Sequence, residues 1–263
     1  MEVALIQFSK AGKKYYFSTN QIDLNAEDYV VVETIRGMEI GKVSSLKEIE
    51  DQDITQEIKP ILRKATQQDI SDYHENLELA KYVFAYTKEL VIQMALEMKI
   101  VEASYTLDRK KLLISFESEE RIDFRELVRS LSQQYQTRIE LRQIGPRDAA
   151  KIIGGIGPCG LMLCCSTFIG EFDTISIKMA KNQSLSLNPQ KISGVCGKLL
   201  CCIKYEDDVY SELKIKMPDV SQIIQTQEGK ARVVNINILG QKVQVRYLED
   251  ERYEWLELDQ INL

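Results

Sequence analysis

VEASYTLDRKKLLISF, residues 101–116, sets the fold class of the chain's middle third. Val101, Ala103, Tyr105 and Leu107 alternate with polar residues, and Leu112, Ile114 and Phe116 alternate again after the turn residues Asp108 to Lys110. Apolar side chains at every second position line one side of a strand, so the stretch reads as a β-hairpin.

Upstream, residues 71–99 carry Leu77, Ala80, Val83, Phe84, Val91, Met94, Ala95 and Met98 mostly at helical spacing, which predicts one long amphipathic helix. Downstream, Asp123 with Glu126 has the spacing of a capping box, opening a helix whose apolar face is Phe124, Leu127, Val128, Leu131 and Tyr135. RIELRQI, 138–144, reads as a returning strand. The order α-β-β-α-β over 66–148 is a compact α+β layer of ferredoxin-like or KH-like character.

Outside this layer the chain is rich in strand signals. VALIQF, KYYFST and DYVVVETIRGMEIGKV, with turns at Ala11-Gly12, Asn20 and Arg36-Gly37, predict a small β-barrel-like unit over 1–50, followed by the acidic connector EIEDQDITQEIK. GKARVVNINI, QKVQVRY and YEWLEL predict a second, SH3-like β unit over 217–263, with Trp255 and the tyrosines expected in its core. The fold class is therefore α+β: two β units flanking the layer and a cysteine-rich, metal-binding segment at 149–208.

That segment holds all six cysteines of the chain, in GGIGPCGLMLCCSTF at 154–168 and SGVCGKLLCC at 193–202. The shared pattern is C-G-x-[LM]-L-C-C, with its copies 196 − 159 = 37 residues apart. A glycine after the first cysteine permits a tight or left-handed turn and bares amide groups toward sulfur. Adjacent cysteines cannot easily point the same way in regular structure, so one of each pair is expected to face a shared centre. The candidate ligands are Cys159, Cys164, Cys165, Cys196, Cys201 and Cys202. Zinc's familiar knuckles are C-x2-C, absent here, whereas the C-x4-C spacing is compatible with iron-sulfur ligation; zinc remains the alternative to a 4Fe-4S cluster.

Charge points the same way. The chain has 34 basic and 40 acidic residues, a net charge of −6, yet residues 151–205 hold six lysines (Lys151, Lys178, Lys181, Lys191, Lys198 and Lys204) against Glu171 and Asp173, a balance of 6 − 2 = +4. A basic collar favours thiolates, and equally describes a solvated surface. Arg121, Arg125 and Arg129 recur at i, i+4 and i+8, a stripe able to hold RNA phosphates or to pair with Glu117, Glu119, Glu120 and Glu140. Together with Lys198 they are the candidate RNA or partner contacts.

Other chemistry lacks its residues. Gly155 to Gly160 matches G-x-G-x-x-G, but it follows no strand and contains Pro158, so it reads as a cysteine-bearing turn. The lone histidine, His74, leaves no two-His metal site. Asp207-Asp208 is expected to cap a turn. No run reaches the roughly 18 to 20 apolar residues of a membrane helix, and MEVALIQFSKAGKK is unlike a signal peptide, so a cytoplasmic, non-enzymatic protein with no integral membrane segment is expected.

The doubled cysteine motif, SIKMAKNQSLSLNPQKISGVCGKLLCCIKYE, and RIDFRELVRSLSQQYQTRIELRQIGPRDAAK before it closely resemble the bacterial YaaT (RicT) family, whose cysteine-rich domain is shared with a yeast polymerase-suppressor protein. The resemblance extends over nearly the whole chain, including KAGKKYYF and DYVVVETIRGMEIGKV. It implies a regulatory adaptor, one subunit of a complex with RicA-like and RicF-like proteins that carries 4Fe-4S clusters and acts with ribonuclease Y in mRNA processing and turnover, with effects on bacterial development. On that basis Cys159, Cys165, Cys196 and Cys201 close one cluster, Cys164 faces outward toward a second, shared one, and Cys202 is buried or spare. Direct RNA binding with a structural four-cysteine zinc site is the other reading.

Overall fold

The computed structural model describes residues 2–8, 12–49, 58–171 and 173–262. Residues 50–57 of the acidic connector, and Ala11 of the first expected turn, lie outside them. The chain divides into two units, one of 1–171 with 195–197, the other of 172–194 with 198–263.

In the first unit, β1 (Glu2–Gln7), β2 (Lys14–Ser18), β3 (Tyr29–Glu33), β4 (Met38–Glu48) and β5 (Ile61–Lys64) form an antiparallel sheet in the order β2-β1-β4-β3-β5. The expected barrel is not closed: the end strands meet only at a single bridge between Ser18 and Pro60. Ala4, Ile6, Val30, Val32, Val43 and Ile61 bury one face of the sheet.

The α-β-β-α-β order is observed as α1 (Gln67–Gln93), β6 (Lys99–Tyr105), β7 (Lys111–Glu117), α2 (Arg125–Tyr135) and β8 (Arg138–Gln143). β7 pairs antiparallel with β6 and, across the α2 connection, parallel with β8. Leu112, Ile114, Leu127 and Leu131 are fully buried where both helices cover the sheet. Each contributes about 1.5–3 kcal/mol of burial.

Two helix boundaries differ from expectation. α1 starts at Gln67, because Thr66 and Asp69 form a reciprocal capping box, and stops at Gln93, because Ala95 takes a positive φ of 50°. Leu77 is then exposed, and Asn76 and Thr87 lie on the buried side. α2 has no capping box: Asp123 instead accepts from the Arg125 amide and guanidinium, and Phe124 is the N-cap. In the hairpin a bulge between Ile100 and Glu102 buries Ile100 and Val101 together, shifting the expected alternation.

α3 (Pro146–Ile153) packs against β6 and β7, and α4 (Cys164–Thr167) packs against α3. In the second unit, α5 (Ile177–Asn182), α6 (Pro189–Ile192) and α7 (Cys201–Lys214) enclose Ala180, Ile192 and Ile203. α7 also lays Tyr210 and Leu213 on the core of the C-terminal sheet. That sheet consists of β9 (Ile223–Thr226), β10 (Gly229–Asn237), β11 (Lys242–Tyr247), β12 (Tyr253–Glu257) and β13 (Ile261–Asn262), in the order β12-β11-β10-β9-β13. Trp255 is 46% exposed and Tyr253 59% exposed, so the expected aromatic core reduces to Tyr247 and the partly buried Tyr210.

Candidate metal centre at the paired cysteine turns

The sequence repeat is also a structural repeat. The Gly157 amide donates to the Leu161 carbonyl at 2.8 Å, and the Gly194 amide donates to the Lys198 carbonyl at 2.8 Å. The Leu163 amide donates to Gly155 at 3.0 Å, and the Leu200 amide to Ile192 at 2.9 Å. Each bond maps onto its counterpart with the 37-residue offset of the motif, as 194 − 157 and 200 − 163 both give. Antiparallel bridges Ile156–Met162 and Ser193–Leu199 close both turns. At the tips, Gly160 (φ 82°) and Gly197 (φ 74°) take the left-handed backbone that turns the chain directly after Cys159 and Cys196. G-x-G-x-x-G is thus a cysteine-bearing turn.

In both copies the turn runs into a helix whose first two residues are the adjacent cysteines, after Leu163 and Leu200 in nearly identical extended conformations. The helices then diverge. α4 ends after four residues: Ser166 and Thr167 donate their hydroxyls to the Leu163 carbonyl, and the amides of Phe168 and Ile169 converge on the Cys164 carbonyl. α7 runs for fourteen residues, and Gln183, buried, donates to the Ile203 carbonyl one residue beyond Cys202. Asp207 and Asp208 lie within α7 rather than capping a turn; Asp208 pairs with Lys204 at 3.5 Å.

None of the six cysteines is in a disulfide. Cys159 is exposed, Cys165 buried, and the other four half-buried, so burial differs between Cys164 and Cys165 but not between Cys201 and Cys202. The tip of the second turn, 195–197, groups with the first unit, which therefore contains Cys159, Cys164, Cys165 and Cys196. Burial pushes the Cys165 thiol up, the charges of Cys196 and Cys164 push it further, and Lys151 acts in the opposite sense. Lys151 is held in place by donating to the Gly170 carbonyl at 2.9 Å.

The donor set fits a thiolate-ligated centre in kind: soft sulfur ligands, a nearby ammonium, and no imidazole among them. Among the described residues, no three Cys, His, Asp or Glu side chains stand together as a formed metal cage. The fold supplies the backbone frame of two matched turns.

Helix α2 carries two of the three stripe arginines, Arg125 and Arg129. Arg121 precedes α2, and Arg125, 85% exposed, is committed to Asp123, whose carboxyl it pulls down to about 2. Arg129 is exposed on α2, and Lys198 lies in the second cysteine turn. No described helix is long and apolar enough to cross a membrane.

Residues 59–144 match the PSP1 C-terminal conserved region, and residues 174–217 match the third domain of PSP1-like proteins. The chain is similar to the stage 0 sporulation protein YaaT of Bacillus subtilis, with 47% identity over 257 residues, 96% of this chain and 94% of that protein. It is also similar to an uncharacterized protein of Schizosaccharomyces pombe, with 31% identity over 166 residues, 51% of this chain and 22% of that one. No solved structure matches.

Proposed function

The chain belongs to the PSP1 family that includes YaaT, and from that premise we propose that it is a non-enzymatic regulatory adaptor: a cytoplasmic, iron-sulfur-binding subunit that joins RicA-like and RicF-like proteins and acts with ribonuclease Y in mRNA processing and turnover. The observation that carries the reading is the duplicated cysteine turn, built twice with the same bonds, its second tip grouped with the first unit's three cysteines. A thiolate-rich frame of this kind has its use in metal binding rather than in acid-base chemistry, for which the turns offer no histidine.

A cluster, held by cysteines of the two motifs, would supply metal–thiolate bonds and added negative charge when bound. The chain's own residues do the rest: Gly160 and Gly197 set the turn tips, Lys151 offsets thiolate charge, and Gln183 fixes the helix that begins with Cys201 and Cys202. Because thiolates must converge for ligation, metal binding is coupled to ordering of the turns, and partner affinity follows metal occupancy.

The test is iron, zinc and acid-labile sulfide per chain after anaerobic purification, followed by partner binding with and without the metal. Iron and sulfide near about four each support a 4Fe-4S centre. One zinc without sulfide replaces the cluster with a structural zinc site. Equal partner affinity with and without metal overturns the coupling.

A further inference from the structure

We infer that the outer face of the C-terminal sheet is a binding surface for single-stranded nucleic acid, with Tyr253 and Trp255 as stacking platforms and Arg232 and Arg246 as phosphate contacts. The inference rests on the second unit alone and does not depend on the cysteine centre.

Strand register fixes which side chains share this face, because residues directly opposite each other in antiparallel strands point to the same side. Inward go Ala231, Val233, Val243, Val245, Tyr247 and Leu256, which form the buried core. The alternate residues must point outward. Trp255 lies opposite Gln244, which lies opposite Asn235. One row over, Tyr253 lies opposite Arg246, Arg246 opposite Arg232, and Arg232 opposite Ile223. Two rows result, each running from an aromatic ring on the edge strand to polar or cationic side chains toward the middle of the sheet.

Three features of these rows point to a ligand of one chemistry. Two large aromatic rings stand half-exposed on an edge strand about 7 Å apart, the spacing of alternate strand residues. Rings so placed offer separate faces to successive unpaired bases, which stack on aromatic side chains regardless of sequence. Next, Arg232 and Arg246 are direct cross-strand neighbours, and like charges in that position are unfavourable unless an anion lies between them. Arg246 has one carboxylate, Glu251; Arg232 has no carboxylate partner among the described residues. Last, Gln244 and Asn235 present amide donors and acceptors of the kind that read base edges.

Charge selects an anionic partner over an apolar one at this face, and the paired rings of Tyr253 and Trp255 favour nucleic acid over an acidic peptide. The acids near the sheet lie off these two rows: Glu249, Asp250 and Glu251 sit in the turn before β12, Glu228 pairs with Arg252, Glu257 pairs with Lys242 at 2.7 Å one row beyond Trp255, and Glu254, opposite the buried Val245, accepts from the Tyr247 hydroxyl. The central rows carry arginine, amide and aromatic groups without an acid, inside a chain whose net charge is −6. A narrow basic and aromatic track of this size suits one unpaired strand.

Trp255 is the only tryptophan in the chain, so its fluorescence reports this face and no other. The full-length protein is titrated with a mixed-sequence RNA of about 12 nucleotides, its DNA counterpart and the RNA duplex, following labelled-strand anisotropy and tryptophan emission together. The expected result is saturable quenching by a single strand, weak duplex binding, and affinity that falls with salt. Arg232→Glu and Trp255→Ala each weaken binding by about tenfold or more, and Trp255→Phe restores most of the loss. Single-stranded RNA bound more tightly than DNA assigns the face to RNA; equal affinities assign it to single strands in general. Anisotropy without any change in Trp255 emission, equal affinity for the duplex, or wild-type binding by both Arg232→Glu and Trp255→Phe/Tyr253→Ala overturns the inference. The Arg232 and Tyr253 changes are on exposed positions and keep the test usable should Trp255→Ala fail to fold.

Discussion

Gln183 donates its side-chain amide to the carbonyl of Ile203, a buried bond that ties the end of α5 to the first turn of the cysteine-bearing helix α7. Both residues are shielded from water, so no solvent replaces the bond when it is cut. Gln183→Leu is therefore expected to cost about 1–3 kcal/mol, concentrated in the second unit. Hydrogen exchange should show faster amide exchange across 201–214 with the C-terminal sheet unchanged. Unaltered protection of α7 would mean that Ile192, Ala180 and Ile203 packing alone holds the helix.

The turn tips give a second, paired expectation. An added Cβ at Gly160 or at Gly197 meets no atom within 4 Å, so substitution there carries backbone strain and no clash. Gly160→Ala and Gly197→Ala should each destabilise by about 1–2 kcal/mol, and by similar amounts, since both turns have the same bonds and nearly the same φ. Denaturant melts of the two variants compare them; a cost at one position and none at the other would show that the copies are not equivalent.

Much of this arrangement was legible from pattern. The 101–116 alternation yields the hairpin, the helical spacing around it yields α1 and α2, and the 37-residue offset yields two like turns. What pattern misjudged was decided by nonlocal partners or by competition between near-equal local bonds. Asp123 has the spacing of a cap, but it takes the amide and guanidinium of Arg125 two residues on instead of the amide three residues on. The Thr66-Asp69 box opens α1 five residues upstream of its expected start, and the apolar stripe does not reveal it because the stripe begins later. Trp255 looked like core by residue type; register places it outside, and alternation along YEWLEL alone does not say which side the core lies on. The departure of α4 from α7 is hidden as well, since the motif is shared through both cysteines and the chains diverge only afterwards, Ser166-Thr167-Phe168 against Ile203-Lys204-Tyr205.

Asp69 makes the start of α1 acid-sensitive. Its carboxylate takes the Arg63 guanidinium, the Thr66 amide at 2.7 Å and the Thr66 hydroxyl at 2.7 Å, and Arg63 above all holds it well below the usual carboxylate range. A depressed folded value means the contribution is fully present above the unfolded carboxylate value near about 4 and is lost as pH falls through the folded value. With Arg63 half in solvent, Asp69→Asn should cost only about 1–2 kcal/mol at neutral pH. The gap between variant and wild type should shrink as thermal melts are taken to progressively lower pH below about 4; a gap independent of pH would place the effect in packing instead.

The thiols test whether the two turns share a locality. Burial leads in raising the Cys165 thiol, and the negative charges of Cys196 and Cys164 add to it, so at a given pH less of Cys165 is thiolate than an ordinary thiol would be. In the metal-free chain Cys165 is expected to alkylate more slowly than the exposed Cys159. Cys196→Ser removes one of the charges acting on Cys165 and should bring its thiol down, raising its alkylation rate at pH near about 8.5 by roughly twofold. Lys151→Gln removes the opposing charge and should slow it. Mass-spectrometric alkylation kinetics across a pH series read both changes at Cys165 alone. A rate indifferent to Cys196→Ser but slowed by Lys151→Gln would place the tip of the second turn away from the first, and with it the premise that one centre draws thiolates from both copies.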